Sequence, residues 1–259
     1  MNFDSLDKKQ GEFSRATERE QSLNQELWAL HQSLLLNMGQ HWNIHSLVTL
    51  KRQALMKLLY LDHIYKMALD VPGIICEFGV QWGGTLAQLI NLRGMYEPYN
   101  YGRTIVGFDT FEGFVDIDSR DGQLLSTGDF ATTSNYDVTL ERLLVIHESF
   151  SPLSHIKKFE LVKGDAAVTI EPWLKNNPHA LIAMAIFDMD VYKPTKEVLE
   201  RIRPRLTKGS LLVFDELNCP QYPGETIALA EVLGLPNVRL RRYIHSPYAA
   251  WVVVGDTTT

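Results

Sequence analysis

The residues that could carry chemistry in this chain stand where apolar runs end. Ile74-Ile75-Cys76-Glu77-Phe78 runs into Gly79-Val80-Gln81-Trp82-Gly83-Gly84-Thr85, and Thr104-Ile105-Val106-Gly107-Phe108 runs into Asp109-Thr110-Phe111. Phe159–Val162 leads to Lys163-Gly164-Asp165-Ala166, Leu181–Phe187 to Asp188-Met189-Asp190, and Ser210–Phe214 to Asp215-Glu216. A glycine turn between a buried strand and a helix presents the free N–H groups of a helix N-terminus at the carboxyl edge of a parallel sheet, where open α/β sheets bind ligands.

The turn excludes two ligand classes. A dinucleotide fingerprint needs a second glycine two residues after the first, so that pyrophosphate can touch backbone. That position is Gln81, with Trp82 next. The phosphate-binding pattern G-x-x-x-x-G-K-[ST] is absent as well. Glu77 is a carboxylate within an apolar strand, and an unpaired buried charge is costly. It needs either a cationic or hydrogen-bond-donating ligand, or an internal partner. Asp109 lies 25 residues beyond Gly84 at a strand's carboxyl end. An acid there holds ribose hydroxyls, or serves as a turn or cap residue. Asp165 either accepts from an adenine amino group or caps the following helix. Neighbouring parallel strands lie roughly 4.8 Å apart, so Asp188, Asp190, Asp215 and Glu216 should crowd one edge. Carboxylates that close repel unless a cation or proton intervenes, or unless some face solvent. An all-oxygen set favours Mg²⁺ or Ca²⁺ over Zn²⁺.

These residues need a scaffold, and the periodicity supplies one. Helical spacing predicts a helix from Thr17 to Met38, with Gly39 as its stop, and a second from Ser46 to about Leu69. Residues 1–15 are polar and expected to be mobile. Leu47, Leu50, Ala54, Leu58, Leu61 and Ile64, widened by Leu55, Leu59 and Tyr65, form an apolar stripe. It fits a subunit interface, a cover over the ligand site, or internal packing. Residues 111–136 are rich in Gly, Asp, Ser and Thr and read as a lid. Further helices are expected over Val138–Phe150, from Pro194-Thr195 to Lys208-Gly209, and after Tyr222-Pro223-Gly224-Glu225. Val238–Tyr243 and Ala249–Val254 read as an antiparallel pair, with His245 and Tyr248 between them as surface residues or borders of a substrate site.

With 259 residues, the chain suits one α/β domain plus an N-terminal segment. Its net charge of −6 and the lack of a Lys/Arg block argue against a nucleic-acid partner. No apolar run of about 18 residues appears, and the polar N-terminus is not a signal peptide. Two distant cysteines, Cys76 in a predicted buried strand and Cys219, fit a reducing compartment. A cytoplasmic protein without membrane partners is expected.

Four motifs, in order, resemble those of the macrocin O-methyltransferase (TylF/MycF-like) family of class I S-adenosylmethionine-dependent sugar O-methyltransferases. Glu77-Phe78-Gly79-Val80-Gln81-Trp82-Gly83-Gly84 is similar to the family's E-C-G-V-x-x-G-G, and Phe108-Asp109-Thr110-Phe111-Glu112-Gly113 to F-D-S-F-E-G. Met189-Asp190-Val191-Tyr192-Lys193-Pro194-Thr195 resembles G-D-L-Y-E-S-T, and Val213-Phe214-Asp215-Glu216 stands where the family has I-V-D-D. The resemblance runs from about Pro72 to Leu233. Glu216 replaces an aspartate, which lengthens that arm by a methylene, and Met189 replaces a glycine.

The resemblance implies a doubly wound, mostly parallel seven-stranded sheet with the last strand antiparallel. Because two helices precede the sheet, the chain is expected to divide into an N-terminal helical segment, 1–70, serving as lid or oligomer interface, and a methyltransferase domain, 71–259. The resemblance implies S-adenosylmethionine bound across Glu77, Phe78, Gly79, Val80, Gly83, Gly84, Thr85, Asp109, Thr110, Phe111, Asp165, Ala166 and Asp188. It also implies Mg²⁺ on Asp188, Asp215 and Glu216, and Asp190 as general base. The implied acceptor is a small-molecule hydroxyl, typically of a sugar on a glycosylated secondary metabolite, and a homo-oligomer is expected. A binding protein without catalysis, or one using an altered sulfonium cofactor, would share this fold.

Overall fold

The structure is a computed structural model that describes residues 7–9, 12–14 and 16–256. The Thr257–Thr259 tail and residues 1–6, 10, 11 and 15 lie outside the described residues. The chain divides into two compact units, which adjoin in sequence at Leu59 and Tyr60.

In the first unit, β1 (Asp7–Lys9) and β2 (Glu12–Ser14) pair antiparallel, so part of the polar N-terminus is paired strand. α1 (Glu18–Leu35) starts at a capping box: the Thr17 hydroxyl accepts from Glu20 N–H, and the Glu20 carboxylate accepts from Thr17 N–H. Leu23, Trp28, Leu30 and Leu34 of α1 are exposed. After α2 (Trp42–His45), the expected long helix from Ser46 does not form. The chain makes a 3₁₀ turn over Ser46–Thr49, Leu50 is extended, and α3 (Arg52–Ala68) begins afresh. The Thr49 hydroxyl bonds to Ser46 C=O and to His31 Nδ1, contacts that compete with helix propagation.

The second unit contains the sheet. In chain order it has β3 (Ile74–Phe78), α4 (Gly84–Tyr96), β4 (Ile105–Asp109), α5 (Tyr136–Ser149), β5 (Phe159–Lys163) and α6 (Ala166–Asn176). There follow β6 (Ile182–Phe187), α7 (Tyr192–Ile202), β7 (Leu206–Phe214), α8 (Gly224–Leu233), β8 (Leu240–Arg242) and β9 (Ala250–Val253). The sheet has seven strands in the order β5-β4-β3-β6-β7-β9-β8. The first five are parallel, and β9 runs antiparallel to both β7 and β8. The order reverses around β3, which places a crevice at its carboxyl end.

β3 and β6 are buried along their whole length, as apolar central strands must be. Their alternating side chains feed two cores, one on each sheet face. One face carries a row of phenylalanines. Phe78 stacks on Phe108 at 4.9 Å and on Phe187 at 5.4 Å, and Phe187 stacks on Phe214 at 4.9 Å. These four are register partners across β4, β3, β6 and β7, and each immediately precedes a residue of the carboxyl edge. At the opposite end, buried Arg103 donates to the carbonyls of Ala68, Val71 and Gly73 and pairs with Glu97, fixing the entry to β3.

One boundary differs from expectation. α7 ends at Ile202 and β7 opens at Leu206, so Lys208-Gly209 lies within the strand. Pro204, which has no N–H to donate, closes the helix in a 3₁₀ turn. Gly209 has φ +93° and donates to Val254 C=O. No helix among the described residues is long and apolar enough to cross a membrane.

Truncating the centre of the row, Phe187→Ala, should cost about 3–5 kcal/mol in denaturant unfolding, since it opens a cavity among stacked rings. Burial raises the Glu97 carboxyl, but hydrogen bonds from Arg103, Tyr65 and Asn100 outweigh it and hold the group below its usual range. Its stabilisation is therefore present at neutral pH and lost as the pH falls through that lowered value. Glu97→Gln should flatten this acid limb of an unfolding-versus-pH curve.

Candidate active site

The turn after β3 is built on close contacts. Gly79 has φ +91°, and a Cβ there would lie 1.9 Å from Asp188 C=O at the end of β6. Gly83, in the left-handed region, caps α4, and a Cβ on it would strike Leu140. A Cβ at Gly84 would meet nothing within 4 Å, so the first turn of α4 has an open side. Trp82 packs edge-on against Tyr136 at 4.8 Å, and the Tyr136 hydroxyl donates to Trp82 C=O.

Asp109 holds this turn from the neighbouring strand. Its Oδ2 accepts from Val80 N–H at 2.6 Å and Gln81 N–H at 2.8 Å, and its Oδ1 accepts from Phe111 N–H at 2.5 Å. Of the readings open for Asp109, the structure displays the turn-holding one. Asp165 likewise caps α6, with Oδ1 accepting from Ala167 N–H at 2.9 Å. Thr110 accepts from Glu112 N–H and donates to Gly113 C=O, while Phe111 is buried at φ +60°. Glu77, Phe78, Val80, Thr85 and Ala166 are buried around the turn.

The second half of the site is acidic. Phe187 and Phe214 are register partners, so Asp188 and Asp215 follow side by side at the ends of β6 and β7. Asp188 N–H donates to Phe78 C=O, and Asp215 N–H donates to Phe187 C=O. Asp190 is buried in a left-handed conformation, φ +61°. Beneath these groups lies fully buried Glu225, the first acid of α8, which accepts from Asp190 N–H and Glu216 N–H. Burial first, then the charges of Asp190, Asp188 and Asp215, push its carboxyl well above the ordinary range. Tyr222, also buried, has its hydroxyl pushed up by burial, then by Asp190 and Glu216. Among the described residues, no group of three or more His, Cys, Asp or Glu side chains is arranged to hold a metal ion.

Residues 110–135 form the loop over this edge. Its neck is a backbone pair: Phe114 N–H donates to Asp129 C=O and Gly128 N–H to Phe114 C=O. The rings of Phe114, Phe130 and Tyr222 form a chain from the neck toward the acidic groups, at 5.2 and 6.2 Å. The loop between β8 and β9 lies at the same sheet edge, since Ala250 faces Phe214. There His245 is exposed against Tyr243. Sequence reasoning missed Glu225, Tyr222 and Asp121. Glu225 looks like an ordinary first-turn acid, and only the packing of α8 buries it.

A mostly parallel seven-stranded sheet with an antiparallel β9, a glycine turn after β3 and an acid closing β4 is the class I methyltransferase fold. The profile of the macrocin-O-methyltransferase (TylF) family matches residues 29–228, and the chain belongs to that family. It is an O-methyltransferase, with S-adenosylmethionine as the methyl donor that family membership supports. Mycinamicin III 3''-O-methyltransferase of Micromonospora griseorubida is 27% identical over 183 residues, which are 68% of this chain and 66% of that protein. Demethyldecarbamoylnovobiocin O-methyltransferase of Streptomyces niveus is 26% identical over 201 residues, 71% of this chain and 68% of that protein. The chain thus spans about two thirds of the length of these relatives. The crystal structure of CalS11, a calicheamicin methyltransferase, is 41% identical with a TM-score of 0.87, covering 96% of this chain and 98% of that one. The apo form of CalS11, described as a TDP-rhamnose 3'-O-methyltransferase of calicheamicin biosynthesis, aligns with a TM-score of 0.80 at 39% identity over 94% of this chain and 97% of that one.

Asp109→Asn removes one acceptor oxygen from the turn. Binding of S-adenosylhomocysteine, measured by calorimetry, should weaken about tenfold or more, the consequence of losing a charge-assisted hydrogen bond.

Proposed function

We propose that this enzyme, acting in the cytoplasm, transfers a methyl group from S-adenosylmethionine to a hydroxyl of a sugar used in natural-product biosynthesis. The sugar is carried on a nucleotide diphosphate in preference to a finished glycoside. The observation that carries the reading is the juxtaposition at one sheet edge of a glycine turn clamped by Asp109 and the buried acid Asp190. The near full-length similarity to a TDP-rhamnose methyltransferase supports the choice of carrier.

Glu77, Phe78, the Gly79–Thr85 turn, Asp109 to Phe111, Asp165-Ala166 and Asp188 would hold the cofactor, which supplies an already activated methyl group when bound. Asp109 sets the turn that receives it. Asp190 takes the proton of the acceptor hydroxyl, a poor nucleophile at neutral pH until deprotonated. Residues 110–135 cover this edge and would exclude water from it. Asp188, Asp215 and Glu216, the set expected to take Mg²⁺, are not among any group of described residues arranged to hold a metal ion. The exposed leucines and Trp28 of α1 support reading the N-terminal helices as the surface for a second copy in a homo-oligomer.

The test is methyl transfer to TDP-deoxysugars and to glycosides, read as product mass. Transfer to neither would sink the reading, and transfer to glycosides alone would overturn the carrier. Asp190→Asn should lower turnover about 10²–10⁴-fold, the usual reach of a general base, with S-adenosylhomocysteine affinity unchanged.

A further inference from the structure

We infer that Asp121, in the middle of the loop over the site, is a positioning residue that sets the backbone of Asp190. The inference rests on reading Asp190 as the general base.

The loop around Asp121 is mostly exposed, yet Asp121 itself is fully buried. Its two oxygens point to two different backbones. Oδ1 accepts from Tyr192 N–H, 71 residues away, and Oδ2 accepts from Asp118 N–H at 2.7 Å. Tyr192 is the first residue of α7. The residue before it, Val191, sits at the cap position and makes no side-chain cap hydrogen bond, because an apolar side chain offers no acceptor. The loop therefore supplies the cap that α7 lacks, and a carboxylate suits the positive end of a helix.

This cap controls Asp190 because of what lies between them. Asp190 is the centre of a tight turn: Val191 N–H donates to Met189 C=O at 2.7 Å, with Asp190 at φ +61°. A non-glycine residue holds that conformation only where its surroundings enforce it. Behind the turn, Asp190 N–H reaches Glu225 Oε1 at a long 3.4 Å, a weak hold. Ahead of it, the next N–H beyond Val191 is the one Asp121 receives. Gly224 makes the convergence possible. A Cβ there would lie 2.4 Å from Asp121 Oδ1, 2.5 Å from Tyr192 N and 2.9 Å from Asp190 C=O. The other ties of the loop are peripheral. Arg120 lies over the Tyr192 ring at 3.5 Å, and Lys193 pairs with Asp116. Both cations are solvent-exposed: an exposed ion pair contributes little, and an exposed cation–π contact is modest.

Three variants test this: Asp121→Ala, Asp121→Asn and, as a control on an exposed tie, Lys193→Ala. Asp121→Ala should lower kcat about 10²-fold, the scale expected for a catalytic group displaced by about 1 Å. Asp121→Asn keeps one acceptor and should lose less. The acceptor KM and the S-adenosylhomocysteine Kd should stay within about twofold, and Lys193→Ala should match wild type. Amide hydrogen exchange at Val191 and Tyr192 should accelerate about tenfold or more in Asp121→Asn, a readout independent of turnover. Wild-type kcat in both Asp121 variants, a loss of cofactor affinity parallel to kcat, or unchanged exchange would each overturn the inference. Should Asp190→Asn retain full turnover, the reading of Asp190 as base fails by itself, and exchange at Tyr192 alone decides whether Asp121 fixes this turn.

Discussion

Everything at the ligand edge depends on four stacked phenylalanines. Phe108, Phe78, Phe187 and Phe214 lie in register across four parallel strands, with ring separations of 4.9 to 5.4 Å. Each ring is buried, and each pair adds about 0.5–1.5 kcal/mol beyond area burial. A slip of one residue in any strand would turn its ring to the other face and break the row. The row therefore locks the residues that follow, Asp109, Gly79, Asp188 and Asp215, into adjacent positions. An apolar interaction on one face thus sets the alignment of a polar edge.

That edge is organised by backbone as much as by side chains. Asp109 receives three N–H groups, Asp165 one, Asp121 two and Glu225 two. Carboxylates that accept several N–H bonds compensate their own desolvation, which lets an acid-rich region exist in a largely buried setting. Gly79 and Gly224 serve the same end by allowing one backbone to approach another where any side chain would intrude. In Asp121 and Glu225 the compensation is incomplete: burial raises both carboxyls despite their N–H bonds, and for Glu225 the charges of Asp190, Asp188 and Asp215 add to it.

The loop over the site is also less detached than its composition suggests. Its neck is paired backbone to backbone, its centre is anchored through Asp121, and Phe130 extends it toward Tyr222. A segment rich in Gly, Asp and Ser can be ordered at a few buried points while its remaining residues stay in solvent. The elements that surround the chemistry are then coupled through short polar contacts and not through a broad apolar interface.

The alternation of strands and helices, the antiparallel pair at the end and the acids at the carboxyl edge were legible in the residues themselves, and the seven-stranded arrangement followed from the family motifs. Ile74–Phe78, Ile182–Phe187 and the end of β7 are apolar runs that only burial on both sheet faces can satisfy, and a run of that kind declares itself locally. The family motifs were legible for the same reason, as residue types at fixed short spacing. What the acids do was not. Asp109 and its donors on the glycine turn, Gln81 and Val80, are 28 and 29 residues apart, and Asp121 and Tyr192 are 71 apart. Nothing near Asp121 or Glu225 in the chain distinguishes them from surface acids. The break between Ser46 and Arg52 was hidden in the same way, because His31 meets Thr49 only after the chain folds back. Hydrophobic periodicity is a local property, whereas the partner of a buried polar group is chosen by tertiary packing. The sequence alone therefore determined which elements form and which residues they deliver to the edge, and the tertiary structure decided which of those residues hold the backbone in place.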